Sequence, residues 1–75
     1  MTEFNPTPDH VKEVIVLARK HVSNGAIQET SARFCLADAV ARYDEGEYLS
    51  AYRWAVRSLQ YSVGIFHPDY KKVNA

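Results

Sequence analysis

The chain belongs by its pattern to the all-α class, as a small three-helix bundle in which an N-terminal helix precedes a helical hairpin and a short C-terminal tail follows. Apolar residues recur at helical spacing through most of its length. The three glycines, Gly25, Gly46 and Gly64, fall where each periodic stretch stops. A glycine just past a helix takes the left-handed cap conformation without a Cβ clash. No proline interrupts the periodic stretches, where it would break a helical hydrogen bond. Together these predict one domain over 1–75, with helices at about 8–23, 28–44 and 47–63 and a tail over 65–75.

Helix one starts after Thr7, a good N-cap, with Pro8 at the first helical position and Asp9 near the positive end of the dipole. Val11, Val14, Ile15, Ala18 and Val22 share one face and predict a core stripe. "SNG" at 23–25 ends it.

Helix two begins between Gln28 and Ser31 and runs to Tyr43 or Asp44. Ala32, Cys35, Leu36, Ala39, Val40 and Tyr43 form one apolar face, and Phe34, Ala37 and Ala41 form a second. Two apolar faces on an alanine-rich helix predict a central position, between helices one and three or against a second copy of the chain. A homodimer is one expectation that follows.

Helix three follows the "DEGEY" turn and ends near Val63. Tyr48, Ala51, Tyr52, Ala55, Val56, Leu59 and Val63 form its inward face, with Arg53, Arg57 and Gln60 opposite. At about 100° per residue, Trp54 and Tyr61 fall together on one flank outside that stripe.

The chain has 75 residues, and a domain of that size buries only about 60% of the surface its unfolded chain exposes. A single cysteine, Cys35, allows no disulfide within the chain, so helix packing or self-association has to supply stability. Nine Lys and Arg balance nine Asp and Glu, which disfavours nucleic acid and anionic membranes as partners. The N-terminus lacks the charge and apolar core of a signal peptide, and "VIVLA" at 14–18 is far short of the ~20 residues of a membrane span. The expected location is the cytoplasm.

Ala39, the "GEY" of Gly46 to Tyr48, Ala51 and Leu59 resemble a single tetratricopeptide-like hairpin over 36–59. The resemblance implies close antiparallel packing at small residues, with the glycine and tyrosine shaping the turn. No second copy follows at a period of about 34 residues, so it implies hairpin packing and no peptide groove. His67-Pro68-Asp69, within "FHPDYKK", resembles the loop of J-domain co-chaperones, which joins two long helices and contacts a chaperone ATPase. Six residues follow Asp69, too few for the second helix, and helix three lacks a dense basic face. The stretch is therefore read as a terminator: Gly64 caps helix three, Pro68 stops the chain and Asp69 accepts a turn hydrogen bond.

No catalytic constellation accompanies these elements. Cys35 sits amid apolar neighbours, where burial raises a thiol's pKa and suppresses reactivity. His10, His21 and His67 are too dispersed for one metal ion, although His10 stands three before Glu13. Neither a metal nor a cofactor is expected. One aromatic and basic cluster remains, Arg53, Trp54, Arg57, Tyr61 and Tyr70, with Lys71 and Lys72 close by. Trp, Tyr and Arg dominate protein interfaces because they bury large areas while keeping polar handles. The cluster predicts a non-enzymatic protein-binding module, such as an adaptor, regulator or inhibitor of the kind that phages and other mobile elements encode. Stacking of single-stranded nucleic acid on the same face is the alternative, and a co-chaperone fragment the second.

Overall fold

Thr7 caps the first helix of the computed structural model, which describes residues 5–63; its Oγ1 accepts from the His10 backbone N–H at 3.2 Å. Helix α1 (Pro8–Ser23) runs from there to a turn in which Gly25 takes φ +97° and donates its N–H to the Val22 carbonyl. Helix α2 (Glu29–Asp44) and helix α3 (Tyr48–Val63) follow, and the described residues contain no strand. At the α2–α3 turn, the Gly46 N–H bonds to Tyr43 O at 3.0 Å and the Glu47 N–H to Arg42 O at 2.9 Å. That pair is a Schellman cap, and it needs the φ of +80° that Gly46 adopts. The expected cap at Gly64 lies outside the described residues, as do the tail, Tyr70 and the His67-Pro68-Asp69 stretch.

The start of α2 has a tertiary cause. Its N-cap, Gln28, makes no side-chain cap bond. Instead the Ile27 and Gln28 backbone N–H groups donate to Ser62 O and Tyr61 O, both at 3.0 Å. Two carbonyls in the last turn of α3, which have no partner within their own helix, are thereby satisfied by the α1–α2 connection.

The core joins Val11, Val14, Ile15 and Ala18 of α1 to Ala39 of α2 and to Ala51, Tyr52, Ala55, Val56 and Leu59 of α3. All three helices pack against one another, and α3 makes the most extensive contacts with the other two. The Tyr52 ring lies 5.4 Å from the His10 ring on α1, while the Ser58 hydroxyl donates to Ala32 O of α2 at 2.8 Å. The two faces of α2 predict a central place for that helix, and here the structure differs. Ala32, Cys35 and Ala39 are buried, Leu36, Val40 and Tyr43 are half-buried, and Phe34, Ala37 and Ala41 of the second face are exposed. Ala32 and Ala39 are the fully buried positions of α2, and small residues of this kind let paired helices approach closely. On α3 itself, Ser58 and Ser62 are buried and Gln60 is half-buried rather than exposed. No helix among the described residues is long and apolar enough to cross a membrane.

Candidate functional site

Four of the five predicted site residues stand on the outer flank of α3. Arg53 and Arg57 are exposed, one turn apart, while Trp54 and Tyr61 are half-buried. Trp54 packs part of its ring against the core. The Arg57 guanidinium carbon lies over that ring, 5.4 Å from its centroid, which is a cation–π arrangement. Tyr61 follows one turn later, at the point where its carbonyl receives the Gln28 N–H. Backbone bonding thus fixes one end of the flank, and core packing of Trp54 fixes the other.

Among the described residues, neither Arg53 nor Arg57 has a carboxylate within ion-pair distance; the ion pairs present are His10–Glu13, Glu29–Arg33 and Arg42–Glu45. The flank therefore offers two guanidinium groups without a carboxylate partner among the described residues, one of them seated over the indole, beside a partly exposed phenol. Guanidinium groups of this kind bind carboxylates bidentately and stack on planar groups. Because Arg57 covers part of the indole, the ring offers less open face for a stacked base.

Cys35 faces the same seam, and only 6% of it is exposed. Burial pushes its thiol above the ordinary value; the Arg57 charge pulls the other way and Asp38 reinforces the rise. A protonated, buried thiol is a poor nucleophile. His10 lies 3.9 Å from Glu13 and against the Tyr52 ring. No cluster of three potential metal ligands occurs among the described residues.

The second apolar face expected of α2, Phe34, Ala37 and Ala41, is left uncovered. Phe34 is 69% exposed on the uncovered face of α2, and beside it an open trough runs between α1 and α2.

Compared with known proteins, the chain matches no family model, no curated protein and no solved structure.

Proposed function

We propose that this protein is a non-enzymatic protein-binding module of the cytoplasm, an adaptor, regulator or inhibitor that engages its partner through the outer flank of α3. Arg53, Trp54, Arg57 and Tyr61 supply the contact surface; Tyr70, the fifth residue expected from the sequence, lies outside the described residues. The observation that carries this reading is the Arg57 guanidinium seated over Trp54, on a flank whose two arginines have no carboxylate partner among the described residues. Core packing of Trp54 limits its freedom before any partner arrives, so ordering it costs little on binding. An acidic group on the partner would pair with Arg53 and Arg57 while apolar surface covers the indole and phenol.

Affinity capture from the source cells tests the proposal, with Arg53→Glu/Arg57→Glu as control. Both side chains are exposed, so the double variant retains the fold by circular dichroism. A protein retained in stoichiometric amount by the native chain and lost with the variant is the expected result. Equal retention by both would reject the flank as the binding surface.

A further inference from the structure

The trough between α1 and α2 is a second surface, separate from the α3 flank, and its reading does not depend on that of the flank. Two stretches of it, with volumes of about 450 and 160 Å³, share Arg19 and Val40 and so adjoin along the α1–α2 groove. Its floor is apolar: Ile15 and Val22 from α1, and Leu36, Val40 and Tyr43 from α2. From Lys12 to Val22 it follows α1 for ten residues, about 15 Å or three helical turns.

The rim is charged with one sign. Lys12 and Arg19 stand two turns apart on the α1 side, and Arg33 stands on the α2 side. No carboxylate lines either stretch. Arg33 is bonded to Glu29 at 2.7 Å, whereas Lys12 and Arg19 have no ion-pair partner among the described residues. The acids Asp9 and Glu13 line an adjoining depression that shares Lys12 and Val16 with the trough.

We infer that this trough receives an amphipathic helix of a partner protein, about three turns long, with an apolar row facing the floor and acidic residues along its flanks. An extended segment would need main-chain hydrogen bonds that an apolar floor does not supply, whereas a helix satisfies its own. A ridge of helix side chains seated between α1 and α2 would convert three helices into a four-helix arrangement. Acidic flanks complement Lys12 and Arg19 on one side and Arg33 on the other. A second copy fits less well, because docking trough against trough would bring the same cations together.

A display library of helical peptides, roughly 18 residues or five turns long, tests the inference when selected on the full chain. Expected are sequences with apolar residues at i, i+3, i+4 and i+7 and with Asp or Glu on the flanks. Against Lys12→Glu/Arg19→Glu, whose changes are both at exposed positions, the selected peptides should bind at least about tenfold more weakly. Versions of the same peptides with Lys in place of Glu should gain affinity for that variant. Ala37→Glu, at an exposed trough position, should weaken the acidic peptides as well. The inference is overturned if the selected peptides are basic, uncharged or non-helical, or if all variants bind them equally. Concentration-dependent self-association in sedimentation that Ala37→Glu removes would assign the trough to a second copy and overturn it too.

Discussion

The buried Ser58 hydroxyl of α3 donates to the Ala32 carbonyl in the first turn of α2 at 2.8 Å. One turn further on, the Ser62 hydroxyl donates to the Ser58 carbonyl at the same distance. With the Ile27 and Gln28 backbone bonds to Ser62 and Tyr61, these contacts lock the start of α2 onto the end of α3. They hold the Tyr61 end of the proposed binding flank in place.

Ser58→Ala should therefore destabilise the fold by about 1 kcal/mol, the net value of one buried hydrogen bond, since Ala32 O keeps its place in the α2 ladder. Ser58→Leu should cost more, about 2 kcal/mol, because the added methylenes have no room between closely packed helices. Urea denaturation of both variants measures the difference. Equal stability of the serine and leucine forms would mean that the seam is loose.

Gly46→Ala tests the turn that joins α2 to α3. A Cβ at Gly46 meets no atom within 4 Å, so the cost comes from the backbone at φ +80° alone. About 1 kcal/mol is expected, measured by thermal or urea unfolding, with Gly46→Asn costing less because asparagine tolerates the left-handed region.

The Cys35 thiol gives the fold an alkaline dependence. Burial raises its pKa in the folded chain, which then holds the proton more tightly than the unfolded chain does. Titration of the thiol leaves stability unchanged at neutral pH, where folded and unfolded chains both hold the proton, and stability falls as pH climbs from the thiol's unfolded value, about 8.5, toward the raised folded one. The difference between native and Cys35→Ala denaturation curves over that range isolates the thiol: the native chain should lose stability faster. A thiol reagent at neutral pH should label Cys35 only as fast as the fold opens.

Trp54 and Arg57 should separate in an unfolding experiment. Trp54→Ala removes a side chain that packs against the core and should cost about 2 kcal/mol. Arg57→Gln removes an exposed cation–π contact and should cost under about 1 kcal/mol, with a change in indole fluorescence. Arginine substitutions are thus the sharper probes of binding on this flank, since truncating Trp54 affects fold and surface together.

Much of the architecture was legible in local chemistry. Thr7 and Pro8 announce the start of α1, Gly25 and Gly46 announce turns at positive φ, and the α1 stripe from Val11 to Val22 is buried throughout. What local chemistry could not show was which helix lies at the centre. The alanines of α2 suit close approach from either side, and its most extensive contact is with α3. Ser58 and Ser62 are polar yet buried, each with its hydroxyl donating to a backbone carbonyl, a pairing that depends on the folded neighbours. The flank of Arg53, Trp54, Arg57 and Tyr61 followed from helical spacing alone. The depth to which Trp54 sinks into the core, by contrast, depends on the neighbouring helices.

Trp54 is the single tryptophan of the chain, so its indole Nε1–H gives one resolved resonance in the ¹⁵N-labelled protein. Titration with the captured partner should shift or broaden that resonance together with the backbone signals of Arg53, Arg57 and Tyr61. A captured partner that binds while leaving all four unchanged would contradict the assignment of the α3 flank as the surface through which this protein acts.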